Sequence, residues 1–181
     1  MRSTLLIYWF LATRLSCHWN GKGGLGRLIS GWKATGLLTL QSGNPIFLQD
    51  PGTPSMFAAT NLPNNDGSSG ELQGSAQSRL TRWFNTSDFS RAPAFTFGNS
   101  SRTSPDIRIG GISNWDTNFF KNNRFGADQR FNVQFRAEFF NTLNRARFGY
   151  PGSNIGQANF GVVSTQINRT RQIQFALKLQ F

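Results

Sequence analysis

The chain has 181 residues, which makes it one domain or part of one. Nowhere do about 18 apolar residues follow one another, so a transmembrane helix in the body of the chain is excluded. Nineteen Lys and Arg stand against eight Asp and Glu, a net charge of +11, which suits nucleic acid, an anionic membrane surface or a polyanionic envelope. Arg79, Arg82, Arg91, Arg102 and Arg108 are spread singly through a long polar stretch, and this dispersion argues against a nucleic-acid groove. The single cysteine, Cys17, excludes an internal disulfide and a Cys-based metal site. Eighteen phenylalanines among many Asn, Gln, Ser and Gly residues suit strands with one apolar and one wet face.

Residues 1–20 form an uncertain N-terminal segment. Arg2 followed by Leu5 to Ala12 has the look of a short signal sequence, but no small-x-small cleavage site follows, and Arg14 conflicts with a lipoprotein reading of Cys17. The alternative is that residues 5–12 are a membrane strand. Gly21, Gly23 and Gly26 match G-x-G-x-x-G, yet no acid occurs between Gly26 and Asp50, so a glycine-rich turn is expected rather than a dinucleotide site.

Four segments then alternate in period two. In the first, Trp32, Ala34, Gly36, Leu38 and Leu40 interleave with Lys33, Thr35, Leu37, Thr39 and Gln41. In the second, Trp115, Thr117 and Phe119 interleave with Asn114, Asp116 and Asn118. In the third, Phe131, Val133, Phe135, Ala137 and Phe139 interleave with Arg130, Asn132, Gln134, Arg136 and Glu138. The last is the clearest: Ile173, Phe175, Leu177, Leu179 and Phe181 interleave with Gln172, Gln174, Ala176, Lys178 and Gln180. A helix would scatter these apolar sets around its circumference, so strands are predicted. A tilted transmembrane strand needs about 9–11 residues, and the segments are of that order.

The connections alternate in length. Long irregular loops are expected at about 43–111 and 142–170, with a short turn at 123–128 between them. Outer-membrane barrels alternate short periplasmic turns with long outer loops in this way, and a soluble domain rarely carries such a loop. The short turn predicts a hairpin between about 112–122 and 129–141. A turn centred near Gly126 would place Asp116 opposite Arg136 and Phe119 opposite Val133, with Asp116 and Arg136 a lumen-facing pair.

Little points to catalysis. His18 has no zinc-ligand partner pattern, the carboxylates stand singly, and no nucleophile constellation is evident. No catalytic residue, cofactor or metal site is assigned. Phe57, Trp83, Phe84, Phe89, Phe95 and Phe97 in the long loop could stack on a sugar or aromatic ligand, but ordinary loop packing is the favoured expectation.

Taken as an ordered set, these pieces resemble a known family. Gly31-Trp32 is followed by Leu40-Gln41-Ser42-Gly43-Asn44-Pro45, then Asn114-Trp115-Asp116 with Phe120-Lys121, then Phe135-Arg136-Ala137-Glu138-Phe139-Phe140-Asn141. Asn159-Phe160-Gly161 and the closing run from Arg171 to Phe181 complete it. The set is similar to the C-terminal end of TonB-dependent, Oar-like outer-membrane receptors, over about residues 31–181. The resemblance implies a barrel of about twenty-two strands around a plug, of which residues 21–181 would supply the last four or five strands and their long outer loops. The fold class expected is therefore all-β, an antiparallel transmembrane β-barrel section in the bacterial outer membrane. Its partners would be outer-membrane lipid, the barrel-assembly machinery and, through a plug absent from this sequence, the TonB system; nucleic acid is not expected. The resemblance also implies that Ile173, Phe175, Leu177, Leu179 and Phe181 form the membrane-assembly signal. A small structural or adhesion outer-membrane barrel and a soluble basic β domain binding nucleic acid are the alternatives.

Overall fold

The computed structural model describes residues 31–55, 60–126 and 128–181, together with the backbone of 6–11. Cys17, His18, the glycine-rich segment 21–26 and Phe57 lie outside the described residues. The chain divides into two compact units: residues 1–41, 112–146 and 169–181 make one, and residues 42–111 and 147–168 the other.

The first unit is a five-stranded antiparallel sheet. Its strands are β1 (Leu6–Leu11), β2 (Trp32–Gln41), β7 (Ile112–Phe125), β8 (Phe131–Phe140) and β9 (Gln172–Gln180), in the order β1-β2-β7-β8-β9. The four alternating segments of the sequence become β2, β7, β8 and β9, and residues 6–11 pair as a strand against β2, Leu6 opposite Gln41 and Leu11 opposite Gly36. Register fixes the two faces. Trp32 lies opposite Lys121 and Leu38 opposite Trp115, so even positions of β2 share a face with odd positions of β7. Odd positions then stay together across β8 and β9, with Phe119 opposite Ala137 and Ala137 opposite Phe175. The odd face of the last three strands is apolar and the even face polar, as alternation requires.

Gly43 and Gly36 show where the backbone crowds. A Cβ on Gly36 would meet the Trp115 indole nitrogen at 3.0 Å, so the glycine lets the indole lie across β2. A Cβ on Gly43 would stand 1.7 Å from the Ile109 carbonyl oxygen, which no side chain tolerates.

The predicted hairpin is present, with a different register. Gly126 and Gln129 take positive φ (98° and 54°), and the Gln129 N–H bonds the Gly126 carbonyl at 3.2 Å. The reversal therefore occupies residues 126–130, while Asn123, Arg124 and Phe125 stay in the ladder opposite Val133, Asn132 and Phe131. Phe125 and Phe131 stack at 5.6 Å across the final rung. The turn is centred two residues later than expected, which moves every cross-strand partner by four. Arg136 faces Phe120, and Phe119 faces Ala137 rather than Val133. Asp116 and Arg136 share the polar face, but they are not a cross-strand pair.

The second unit is largely irregular in backbone yet has a core of its own. It contains β3 (Pro45–Ile46) paired with β6 (Ser104–Arg108), and β4 (Asn64–Asn65) paired with β5 (Phe89–Ser90). Ile46, Leu48, Trp83, Phe84, Phe89, Ile107, Ile155 and Val163 form its buried core. Phe84 meets Phe89 and Phe160 edge-on at 5.9 and 5.2 Å, a favourable aromatic geometry. The Trp83 indole N–H donates to the Arg108 carbonyl at 2.7 Å. Asp50 is fully buried; the Thr53 hydroxyl donates to its Oδ2 at 2.6 Å, while Oδ1, 3.9 Å from Arg91 Nε, accepts no hydrogen bond.

Candidate functional site

The sheet has two chemically opposite faces, and among the described residues neither carries a buried core cluster. On the odd face of β7–β9, Trp115, Phe119, Phe125, Phe131, Ile173, Phe175, Leu177 and Leu179 are all exposed. Phe175, Leu177 and Leu179 are 65–67% exposed and Phe181 100%. A soluble protein seldom leaves a contiguous apolar surface of this kind to water, whereas a barrel wall presents it to lipid. The rings pack among themselves: Phe119 on Phe139 at 5.9 Å and Phe135 on Phe175 at 6.1 Å.

Lys121 is the one cation that register places on this face among the described strand residues. It is only 5% exposed. Trp32 on β2 and Phe135 on β8 flank it in the same row, and their rings meet edge-on at 5.9 Å. Its Nζ sits 5.6 Å from the Trp32 ring centroid. The aromatic pair covers the aliphatic stem and the indole face attracts the ammonium, so the charge is carried inside an apolar wall.

The even face is built for water. Gln134 donates to Asn122 at 2.8 Å and Asn132 donates to Gln180 at 2.9 Å, each across a pair of opposed residues. Arg136 Nε donates to Gln134 at 2.9 Å, and Lys33 lies 5.8 Å from the Phe120 ring. Thr35, Asn118, Phe119, Phe120, Arg136 and Glu138 line a shallow open hollow.

Asp116 has a role that alternation could not reveal. Its carboxylate accepts the Asn141 backbone N–H at 2.7 Å and the Asn114 amide at 3.0 Å. Asn141 is buried, with φ 51°. Its side-chain amide donates to the carbonyls of Arg145 (3.0 Å) and Arg169 (3.2 Å) and accepts the Arg145 N–H (2.8 Å). The residues thus joined stand on either side of the 147–168 excursion, so Asn141 clamps its base.

In the second unit, Trp83, Phe84 and Phe89 are core, as ordinary packing predicts, while Phe95 and Phe97 are 61% and 72% exposed. Phe95 has φ 61°, a left-handed conformation unusual for a bulky residue. The turn is held by Phe95 N–H to Pro54 O (3.0 Å), Thr96 N–H to Pro93 O (3.2 Å) and the Asn61 amide to Thr96 O (2.9 Å). Strain of this sort persists where the surroundings over-determine it and is concentrated at functional positions. In the neighbouring polar turn, the Ser68 backbone N–H donates to Asp66 and holds its carboxyl below the usual range.

Among the described residues no group of three or more His, Cys, Asp or Glu side chains is gathered to hold a metal ion. A family model for the outer membrane beta barrel domain matches residues 7–174. No curated protein and no solved structure matches the chain.

Proposed function

Because the chain belongs to the outer membrane beta barrel domain family and is a protein of the bacterial outer membrane, we propose that it is the C-terminal barrel section of a TonB-dependent transporter that takes up a bulky nutrient. The observation that carries this reading is the second unit. Both long excursions leave the sheet at one end, where Gln41 pairs with Ile112 and where β8 hands over to β9, and together they form a cored body with rigidly presented aromatics. A merely structural barrel has no need of such an elaborate outer part.

Phe95 and Phe97 then serve as contacts for a ring-bearing nutrient. The test is growth of the source bacterium on a panel of oligosaccharides too large for passive diffusion. Loss of the complete barrel and loss of TonB should abolish growth on the same member of the panel. F95A/F97A should slow that growth at limiting supply with barrel abundance unchanged. A barrel deletion whose growth defects are not shared by the TonB-deficient strain overturns the reading.

The assembly role of the terminal stripe makes a separate prediction. Deleting Phe181 from the complete barrel should lower the folded, heat-modifiable fraction in the outer membrane without lowering synthesis. Normal insertion of that deletion would remove Phe181 from the signal.

A further inference from the structure

We infer that Lys33 and Arg136, on the polar face of the sheet, bind the carboxylate of an acidic sugar ring lodged in the hollow over Phe120. The inference rests on the uptake reading for the class of ligand, and narrows the nutrient to an oligosaccharide that carries uronate groups. Register brings the two cations into one row, with Lys33 opposite Phe120 and Phe120 opposite Arg136. Their side chains meet about the same ring. Lys33 Nζ stands 5.8 Å from the Phe120 centroid, and Phe120 and Arg136 line one hollow. Arg136 Nε donates to Gln134 at 2.9 Å. That bond fixes the plane of the guanidinium and leaves both Nη atoms for a ligand. A guanidinium held in this way is suited to bidentate recognition of a carboxylate.

The neighbouring rows decide what kind of anion fits. Away from the hairpin turn the next row is Thr35, Asn118 and Glu138, and all three line the hollow. They offer a hydroxyl, an amide and a carboxylate, groups that pair with sugar hydroxyls. Toward the turn, Lys178 lies opposite Gln134 and Arg124 opposite Asn132. Among the described strand residues, the polar face thus keeps its cations from the Phe120 row to the turn. Its carboxylates, Glu138 and Asp116, stand on the other side of that row. A wall charged in this way focuses its field on an anion and selects the sign of what passes. A neutral sugar leaves Lys33 and Arg136 without a counter-charge. A simple anion leaves Thr35, Asn118 and Glu138 without partners. A ring with a carboxylate at one edge and hydroxyls at the other satisfies both rows, with Phe120 as its apolar floor.

The experiment uses the complete barrel, purified in neutral detergent and titrated calorimetrically with oligomers of galacturonate, glucuronate and mannuronate, each also in its methyl-esterified form. The ester keeps the ring and removes the charge. At least one acid oligomer should bind the unaltered protein about tenfold more tightly than its ester, and added salt should weaken the acid form alone. K33Q and R136Q should each weaken that acid oligomer about tenfold and leave the affinity of the ester unchanged. Failure of every acid oligomer to bind, or equal binding of acid and ester in all the pairs, overturns the site, and this comparison needs no variant. Unchanged affinity of K33Q and R136Q for the acid oligomer overturns the choice of residues. Equal weakening of acid and ester overturns it as well, because the two cations would then hold the barrel interior in shape rather than a ligand. The uptake reading fails separately: a barrel that passes these tests, but whose growth defects are not shared by the TonB-deficient strain, keeps its acidic-sugar site and loses that reading.

Discussion

Leu177→Arg should destabilise the folded barrel by about 2–4 kcal/mol, while Gln174→Arg should be close to silent. Both residues lie in β9, three positions apart, and differ in face. Leu177 shares the apolar row with Lys121 and Phe135, whereas Gln174 pairs with Glu138 on the polar face. Leu177 lies well inside the strand, so an arginine there cannot easily reach the headgroup level, and its charge must be drawn into hydrocarbon. Gln174→Arg puts a cation beside a carboxylate in water. The measurement is urea unfolding of the complete barrel in phospholipid vesicles, comparing the two variants. Equal sensitivity at the two positions would refute the assignment of faces. Lys121 does not contradict the argument: Trp32 and Phe135 close over it, a cover that Leu177, at 66% exposure, does not have.

The second large effect is expected at Asn141. Asn141→Ala removes the amide that satisfies two carbonyls and one N–H at a buried position, and each buried group left unpaired costs about 1–3 kcal/mol. Alanine also tolerates the left-handed backbone poorly, by roughly 1–2 kcal/mol relative to glycine. Even at the low end of each range, the expected loss is about 4 kcal/mol in all. Asn141→Gly should recover about 1 kcal/mol of it, because the backbone term is relieved and the amide is still missing. Limited proteolysis offers an independent reading, with cleavage inside 147–168 rising in both variants before the sheet is lost. Identical stability of the alanine and glycine variants would show that the backbone conformation contributes nothing.

What the sequence made legible follows from what alternation encodes. β2, β8 and β9 could be read directly, since a period of two names both the strand and its faces, and β9 in particular carries no interruption. β7 was legible over about 112–122 but not at its end. Asn123, Arg124 and Gly126 look like turn residues, and nothing in a single strand says that Asn123 to Phe125 will be held by opposed partners on β8. Register therefore failed while face assignment succeeded: a slip of four positions preserves every face, and the sequence supplies no penalty against it until Phe125 is seen stacked on Phe131. Asp116 was placed on its correct face but given the wrong partner, because its bond is to a backbone N–H at the end of β8 rather than to a side chain. The core of the second unit was illegible for another reason. Ile46, Leu48, Trp83, Phe84, Ile107, Ile155 and Val163 are scattered over two excursions with no period, since irregular backbone turns each toward the centre separately. The phenylalanines of that stretch gave no sign of which would be buried, and Phe84 and Phe97 differ only in what surrounds them.

The placement of that core gives the two units unlike thermal behaviour. Residues 42–111 and 147–168 bury their apolar side chains from water, so their unfolding exposes apolar surface with a large positive heat-capacity change and a stability maximum at some intermediate temperature. The sheet keeps its apolar face turned outward, and in the membrane that face stays in hydrocarbon, where association draws on packing and hydrogen bonds rather than on release of water. Chilling weakens the first kind of stabilisation and not the second. In the cold the loop unit should therefore begin to loosen while the sheet holds its register, so a bacterium growing near freezing would lose the shape of that unit before it lost the integrity of its wall.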